Sequence, residues 1–354
     1  MARLTRAESS EQSVDLEPQL GDPLRPVTIA AIAESAGVSV PTVSKVINGR
    51  SGVAAQTRAR VEAAINQHGY RRSSPAARSN MMELVFDEIE DMWGVQIIRG
   101  VERVARQHGV GVILTEFGPQ RSAIRYWIDD TLSRRPDCLV TVAQLDEEQR
   151  NQLRARGIPF VVFDPTVELP DDVPFVGATN WAGGRSAARH LIGLGHRRIA
   201  MIAAPEGILC CRARLDGYRA ACDAAGLSGD LIVRAELSRE GGETAALDLL
   251  NRPDRPTAIF AANDLQAFGV YQAARRLGMR IPIDLSVVGF DDLPLADLVD
   301  PPLTTIHQPL TEMAVTATEL ALALGRGERA SQVGLELGTT LKVRRSTAPP
   351  GASG

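Results

Sequence analysis

The chain has 354 residues, 44% of them hydrophobic, and a formal net charge of −4. It exceeds the roughly 250–300 residues at which one hydrophobic core stops growing, so we expect more than one domain. No apolar run reaches the ~18 residues of a membrane helix, and the N-terminal segment lacks the apolar stretch of a signal peptide. We therefore expect a cytoplasmic protein without a membrane partner, with a disordered tail over residues 1–25.

The charge is unevenly distributed along the chain. Between residues 26 and 80, seven basic and two acidic residues give a net charge of +5, so the rest of the chain carries −9. This asymmetry is expected when only the N-terminal part of a protein meets phosphate groups.

The segment VTIAAIAESAGVSVPTVSKVIN, residues 27–48, carries the strongest local signal. Thr28 can cap a first helix, Gly37 can form a tight turn, and Ser39 can cap a second helix. Two short helices joined by a glycine turn form a helix-turn-helix, whose second helix enters the major groove of DNA. The segment therefore predicts a DNA-binding head.

The head is completed by a third helix predicted at about 56–68, so we place this domain at residues 26–70. The following segment is polar and basic and contains Pro75, which is typical of a linker. We assign residues 71–81 to this hinge or linker.

From Met82 onward, apolar strands and helices alternate. Strands are predicted at 84–86, 111–114, 138–142, 160–163, 198–203, 257–261 and 285–289, and helices at 95–108, 182–194, 212–225, 242–251 and 265–277. This alternation indicates parallel α/β sheets covered by helices. Its length suggests two lobes, with a ligand cleft at the carboxyl ends of the strands. Residues 347–354 are predicted to form a second disordered tail.

Motifs of catalysis and of metal binding are missing from the sequence. Phe86 is followed by DEIEDMWG and not by a GxGxxG loop, and neither a GxSxG elbow nor a P-loop occurs. We therefore expect no enzymatic activity and no cofactor. The cysteines, which have no CxxC spacing, are expected to be reduced, buried or incidental thiols and not a metal site, with a redox switch as the alternative; they are Cys138, Cys210, Cys211 and Cys222.

Several motifs resemble the LacI/GalR family of bacterial repressors. GVSVPTVSKVIN and the later HGY resemble the family's DNA-binding head. ATNWAGGRSAARHLIGLGHRRIAMI, RLDGYRAA, FAANDLQAFGVYQAARRLGMRIP, DLSVVGFDD and PPLTTIHQP resemble its effector domain, in the same order. The resemblance implies an N-terminal all-α helix-turn-helix head and an α/β two-lobed, periplasmic-binding-protein-like (type I) core. It also implies a homodimer that binds a palindromic operator in double-stranded DNA.

The resemblance assigns residues 82–346 to an effector-binding and dimerisation domain. One lobe comprises roughly residues 82–177 and 308–336, and the other comprises 178–307 and 337–346. The chain ends in a Pro/Gly-rich segment without the leucine-repeat helix of tetrameric relatives, so a dimer is expected.

The resemblance also implies DNA contacts along the head. Val40 and Pro41 cannot donate a hydrogen bond, so we expect apolar contact with a thymine methyl group. Lys45 is expected to bind guanine or phosphate, whereas Ser39, Thr28, Thr57 and Asn48 could either bind phosphate or only cap helices. The candidate DNA-binding residues are Thr28, Ser39, Val40, Pro41, Thr42, Ser44, Lys45, Asn48, Thr57 and Arg78.

The hinge departs from the family pattern. Family members end the hinge in a leucine that wedges into the minor groove. Here Ser79 stands near that place, so the wedge is missing unless Met81 or Met82 supplies it in a shifted register.

The effector site implied by the resemblance consists of Trp93, Asp164, Arg214, Asn263, Asp291 and Gln308. Carboxylates and amides beside an arginine suit the alternating donors and acceptors of a sugar ring. Other interpretations are a helix cap for Asn263, a turn residue for Asp291 and packing for Trp93 in the loop after the first strand. Trp181 is predicted to lie in the core or at the lobe interface.

These features predict a repressor of carbohydrate uptake or catabolism genes, released from its operator by a mono- or disaccharide. Two alternatives stay open at this point. One is a corepressor-dependent regulator that senses a purine or another small metabolite, and the other is a transcriptional activator.

Overall fold

The computed structural model describes residues 29–47, 53–68, 79–89, 92–118 and 124–351. The chain divides into two compact units, one ending at Ala77 and the other beginning at Arg78. Among the described helices, none combines the length and the apolar character that crossing a lipid bilayer requires.

Within its described residues, the N-terminal unit contains three helices, α1 (Ile29–Ser35), α2 (Val40–Ile47) and α3 (Ala55–Gln67). Helix α1 ends where Gly37 adopts a φ of +61° and the Val38 amide donates to the Ala33 carbonyl at 3.0 Å. The apolar side chains of the three helices form one small core, made of Ile32, Ala33, Ala36, Val43, Val46, Val61 and Ala64. The turn and this core together hold α2 against α1 and α3.

The C-terminal unit is built from twelve described strands and eight described helices. The strands are β1 (Met81–Phe86), β2 (Gly111–Glu116), β3 (Cys138–Thr141), β4 (Phe160–Phe163), β5 (Phe175–Ala178), β6 (Ile199–Ala203), β7 (Ile232–Arg234), β8 (Ala258–Ala261), β9 (Ser286–Asp291), β10 (Thr304–His307), β11 (Gly334–Leu337) and β12 (Thr340–Lys342). The helices are α4 (Met92–Gln107), α5 (Ile124–Arg134), α6 (Glu147–Ala155), α7 (Asn180–Gly193), α8 (Leu209–Ala224), α9 (Arg239–Leu250), α10 (Asp264–Arg276) and α11 (Leu310–Gly325).

These strands form two six-stranded sheets, one in each lobe. The first sheet has the order β11-β5-β4-β3-β1-β2 and the second the order β12-β10-β9-β8-β6-β7. Neighbouring strands are parallel, except that β12 runs antiparallel to β10. Every residue of β3, β4, β6, β8 and β9 is buried. Such strands read as continuous apolar runs because helices cover both faces of a parallel sheet.

The chain crosses between the lobes three times, after β5, after β10 and after β11. The first and third crossings are tied together by Thr179 and Thr339. The Thr339 amide donates to Thr179 Oγ1 at 2.9 Å, and Thr339 Oγ1 donates to the Thr179 carbonyl at 3.1 Å. Residues beside these crossings therefore lie where the two lobes meet.

The structure excludes Met82 as a wedge at the hinge. Met82 lies in β1 and is 0% exposed in the core of the first lobe. Met81 belongs to the same strand, and a Cβ atom at Gly111 of β2 would overlap its sulfur. The strand register that pairs β1 with β2 therefore holds both side chains within the lobe.

The predicted disordered tail at residues 347–354 is wrong for the part that the structure describes, which reaches Gly351. The Ala348 amide donates to Ser286 Oγ at 3.1 Å, and the Ala348 carbonyl accepts from His196 Nε2 at 2.9 Å. His190 Nε2 lies 2.9 Å from Thr347 Oγ1. Polar side chains of α7, β9 and the loop before β6 thus form hydrogen bonds with the polar groups of this segment. These bonds hold it in place despite its Pro- and Gly-rich composition.

Candidate functional site

A buried arginine joins several segments of the second lobe. Arg214 Nη1 donates to the Ala262 carbonyl at 2.7 Å and lies 3.4 Å from Asp291 Oδ1. Its Nε donates to Asn180 Oδ1 at 2.8 Å, and its Nη2 donates to Gln308 Oε1 at 3.2 Å. The fork of the guanidinium is therefore fixed in one orientation.

The guanidinium of Arg214 also lies over an aromatic ring. Its central carbon is 3.6 Å from the centroid of the Phe290 ring, and Arg214 is only 4% exposed. Contact with the π face compensates part of the solvation that the cation loses on burial. Arg214 is thus held by a charge, by three hydrogen-bond acceptors and by a ring.

Gln308 extends this network to the first lobe. Its Nε2 donates to Asp164 Oδ2 at 3.0 Å, while its Oε1 accepts from Arg214. Asp164 follows β4 of the first lobe, and Gln308 lies in the second crossing between the lobes. We call Asp164, Asn180, Arg214, Asp291 and Gln308 the interlobe network, because hydrogen bonds connect them across the boundary.

Asp164 keeps one polar atom without a partner. Its Oδ1 is buried and has no hydrogen-bond partner, although the residue is only 7% exposed. A buried acceptor that is left unsatisfied costs free energy, so it marks a place where a ligand donor would be favoured. Asp164 and Asp291 also adopt φ angles of +46° and +105°, a strained conformation that concentrates at functional sites.

Burial dominates the ionisation of the two carboxyl groups. Desolvation raises the pKa of Asp164, and the nearby Arg214 cation only partly opposes this. Desolvation also raises the pKa of Asp291 well above its ordinary value, again against the effect of Arg214. Burial lowers the pKa of Arg214, but the negative charge of Asp291 and its neighbours outweighs burial and raises it overall.

Close packing of α7 against α8 positions Arg214 beside Asn180. A Cβ atom at Gly184 of α7 would overlap the carbonyl oxygen of Arg214, and one at Gly217 of α8 would overlap the carbonyl oxygen of Trp181. Only glycine at both positions lets the two backbones approach this closely. The Arg214 guanidinium on α8 therefore reaches Asn180, the first residue of α7.

A cavity of about 720 Å³ lies beside the interlobe network. Of the six predicted effector residues it is lined only by Asp164, and Asn180, Trp181 and Cys210 also face it. The charged residues in its lining are all acidic, namely Asp164, Glu168, Asp171 and Glu336. This lining favours a neutral or cationic ligand over an anionic one.

The structure brings four of the six predicted effector residues into direct contact, namely Asp164, Arg214, Asp291 and Gln308. Asn263 instead caps α10, since its Oδ1 accepts from the Gln266 amide at 2.9 Å. Its Nδ2 donates to the Leu237 carbonyl at 3.0 Å, so both ends of the amide already serve the fold.

The structure revises the predicted positions of Trp93 and Trp181. Trp93 lies in the first turn of α4 and not in a loop, and its ring packs edge-on against Phe163 at 5.9 Å. Trp181 is 46% exposed on α7, so it does not lie in the core, one of the two positions predicted for it. It lines the cavity together with residues of both lobes, which agrees with the other predicted position, at the lobe interface. The Arg185 guanidinium lies 5.7 Å from the Trp181 ring.

Asn180 and Cys210 are the site residues that the sequence did not indicate. Asn180 stands inside the motif ATNWAGG, but its role depends on the contact between α7 and α8. Cys210 lies one turn before Arg214 on α8, and its position on the cavity wall follows from that spacing.

The head presents two faces of α2. Val43 and Val46 are buried, whereas Val40, Pro41 and Lys45 are exposed. Ser39 and Thr42 share a hydrogen bond of 2.9 Å between their hydroxyls, and Thr42, Ser44 and Thr57 are half-buried. Thr28, Asn48 and Arg78 lie outside the described residues. The exposed positions of α2 are thus those that sequence reasoning assigned to DNA.

Known proteins share both parts of this architecture. Residues 28–73 match the family described as bacterial regulatory proteins, lacI family, and residues 188–347 match a periplasmic binding protein-like domain. The HTH-type transcriptional regulator DegA of Bacillus subtilis (strain 168) is 32% identical over 91% of this chain and 98% of its own. The chain belongs to the LacI family.

Two solved structures of the family extend the comparison. The complex of the transcriptional regulator CelR with cellobiose is 33% identical, covers 90% of this chain and 99% of its own, and has a TM-score of 0.70. The lac repressor dimer bound to operator and the anti-inducer ONPF is 29% identical, covers 92% of this chain and 100% of its own, and has a TM-score of 0.68. The head and two-lobed core expected from the sequence are confirmed, and this LacI-family protein is a DNA-binding transcriptional regulator, not an enzyme.

Proposed function

We propose that this regulator represses genes of carbohydrate uptake or catabolism and leaves its operator when a mono- or disaccharide binds between the lobes. The observation that carries the proposal is the unpartnered Asp164 Oδ1 beside the cavity of about 720 Å³. A sugar hydroxyl can donate to this oxygen and remove the cost of leaving it unsatisfied. The solved CelR–cellobiose complex supports the choice of a sugar.

The acidic lining helps to choose among sugars. A sugar phosphate would place its negative charge near Asp164, Glu168, Asp171 and Glu336, and like charges repel in a partly buried site. A neutral mono- or disaccharide meets no such repulsion. The effector is therefore proposed to be an unphosphorylated sugar.

The proposed active form is a cytoplasmic homodimer on a palindromic operator. Two recognition helices, α2 of each protomer, then read half-sites one helical turn apart, about 34–36 Å. The lac repressor dimer bound to its operator supports this arrangement.

The interlobe network provides a way to couple sugar binding to operator binding. Gln308 links Asp164 of the first lobe to Arg214 of the second, so a sugar that replaces these hydrogen bonds changes how the lobes are held together. Such coupling is typically about 1–3 kcal/mol and is reciprocal, so operator DNA must weaken sugar binding by the same factor.

The proposal is tested by the thermal stability of the purified chain with a panel of unphosphorylated sugars, sugar phosphates and purines. A sugar at about 100 times its Kd should stabilise the binding unit by roughly 2.7 kcal/mol. Asp164→Asn should abolish that shift, whereas Asp172→Asn, an exposed aspartate that pairs with Arg154, should retain it. The same sugar should release a labelled operator duplex.

Three results of this screen would overturn the proposal. A purine that stabilises the chain and strengthens operator binding would replace the sugar with a corepressor. A complete panel without any shift, or a sugar shift that Asp164→Asn leaves intact, would remove the proposed sugar site.

Lys45 is proposed to contact the operator directly. It is exposed on α2, and Lys342, the other lysine of the chain, is exposed on β12 of the C-terminal unit. Lys45→Ala should weaken operator binding by about 10- to 100-fold, since a base or phosphate contact is worth about 1–3 kcal/mol. Lys342→Ala should bind the operator as the wild type does. Fluorescence anisotropy at several salt concentrations measures both, and equal affinities for the two variants would contradict the assignment.

A further inference from the structure

The interlobe network contains more carboxyl groups than cations. Its five residues include two carboxyl groups, Asp164 and Asp291, but only one cation, Arg214. The guanidinium lies 3.4 Å from Asp291 Oδ1, so these two charges balance one another. Asp164 instead accepts from the neutral amide of Gln308 at 3.0 Å. The network therefore holds one buried carboxyl group without a cation of its own.

One oxygen of this carboxyl group stays unsatisfied in both protonation states. Asp164 Oδ1 is buried without a hydrogen-bond partner, and the residue is only 7% exposed. As part of a carboxylate, Oδ1 is an acceptor without a donor. A proton on Oδ1 would create an O–H donor that again has no partner in the protein. A ligand group at Oδ1 would remove this cost.

The cavity beside Asp164 presents negative charge and no positive charge. Its described lining contains the carboxyl groups of Asp164, Glu168, Asp171 and Glu336, and no basic residue is part of that lining. Glu168, Asp171 and Glu336 are exposed, so water and salt screen their charges, whereas Asp164 is buried. The attraction for a ligand cation is therefore strongest at Asp164.

We propose that the effector is an amino sugar, in which a protonated amine replaces one hydroxyl group, and that this amine donates to Asp164 Oδ1. The inference rests on the sugar response proposed above and adds the charge of the ligand to it. An ammonium group supplies both a donor and the positive charge that the interlobe network lacks. Such a charge-assisted hydrogen bond is about twice as strong as one between neutral groups.

A metal ion does not meet the same need. Calcium takes about six to eight oxygen ligands, and structural zinc takes about four protein ligands. Among the residues that the structure describes, no group of three or more side chains could hold a metal ion. A single buried carboxylate oxygen suits an organic ammonium group, because one hydrogen bond is enough to pair the two charges.

The test is isothermal titration calorimetry of the full-length chain at pH 7 with sugars in matched pairs. The pairs are glucosamine with glucose, galactosamine with galactose, and the glucosamine disaccharide with cellobiose. In at least one pair the amino sugar should bind about 10- to 100-fold more tightly, which is the usual value of a hydrogen bond to a charged group. The N-acetylated form of that sugar carries no charge and should lose this advantage.

Two variants locate the charge that the amine recognises. Asp164→Asn keeps the shape of the side chain but removes its charge, so the amino sugar should bind no more tightly than its hydroxyl counterpart binds to the wild type. Asp172→Asn removes an exposed carboxylate that pairs with Arg154 and should keep the preference for the amine. Circular dichroism checks that both variants are folded.

The inference is overturned if no amino sugar binds more tightly than its hydroxyl counterpart, or if Asp164→Asn keeps the preference. A neutral sugar that binds as well as its amine, and that releases operator DNA, would remove the amino sugar and leave the proposed sugar response in place. If neither these pairs nor any other unphosphorylated sugar binds, the sugar response and the amino sugar are both overturned.

Discussion

Replacing Arg214 by methionine is expected to lower the free energy of unfolding of the C-terminal unit by about 3–5 kcal/mol and to abolish the response to the effector. Methionine fills the space of the aliphatic stem but removes the cation. Asp291 would then be buried without its counter-charge, and Gln308 and Asn180 would each lose a donor. Removing one partner of a buried ion pair has a cost of this size. Urea unfolding followed by circular dichroism measures it.

The matched control lies two residues earlier on the same helix. The Arg212 side chain is 73% exposed and makes only a 4.0 Å contact with Asp216. Arg212→Met should change the free energy of unfolding by less than about 0.5 kcal/mol and should keep the effector response. Similar losses in the two variants would show that the interlobe network does not depend on the Arg214 cation.

The second large effect concerns the pH dependence of stability through Asp264. This carboxyl is 0% exposed, accepts from Thr305 Oγ1 at 2.6 Å and from the Leu293 amide at 2.7 Å, and so holds the loop that follows Asp291. Burial raises the pKa of Asp264 to about 7. The folded state therefore binds more protons than the unfolded state between pH 4 and 7, so the contribution of Asp264 to stability is lost as the pH rises through that window.

The measurement compares wild type with Asp264→Asn at pH 5 and pH 8. Between these two pH values the wild type should lose about 2–3 kcal/mol relative to the variant, which has no carboxyl to ionise, since pH 5 lies two units below the pKa of about 7 and each unit is worth about 1.4 kcal/mol. Burial lowers the pKa of His190 and His196, which makes stability rise with pH, but this contribution cancels in the difference. Asp248→Asn on α9, where the aspartate is exposed, is the control. A difference between wild type and Asp264→Asn that does not change with pH would contradict the prediction.

The elements that could be predicted from the sequence are those with a strong local pattern. The buried strands β3, β4, β6 and β8 appear as uninterrupted apolar runs, and Gly37 marks the turn of the head. Strands β5, β7, β10, β11 and β12 were missed because glycine or polar residues interrupt their apolar sequences. Helix α11, LTEMAVTATELALALG, is apolar on most sides, so it shows no amphipathic stripe.

The site was predictable only in part. Asp164 directly follows β4 and Asp291 is the last residue of β9, so both lie at the carboxyl ends of parallel strands, where the fold class predicts the ligand cleft. The place of Asn180 depends on Gly184 and Gly217, two glycines in different helices whose contact no local pattern reveals. The start of α4 was hidden because Gly94 is a weak helix former within its first turn.

The order of the crossings has a consequence for biosynthesis. Helix α11 packs against α4 and completes the core of the first lobe, yet its first residue, Leu310, follows the end of α4 by about 200 residues. Protein synthesis adds about 5–20 residues per second, so α11 emerges roughly 10–40 s after α4. During that time the apolar face of α4 lacks this packing partner. Gly334 and Glu336 of β11 also line the cavity, so its wall is among the last parts to be synthesised. A nascent chain that stalls before residue 310 therefore carries the complete DNA-reading sequence but no means of sensing the effector.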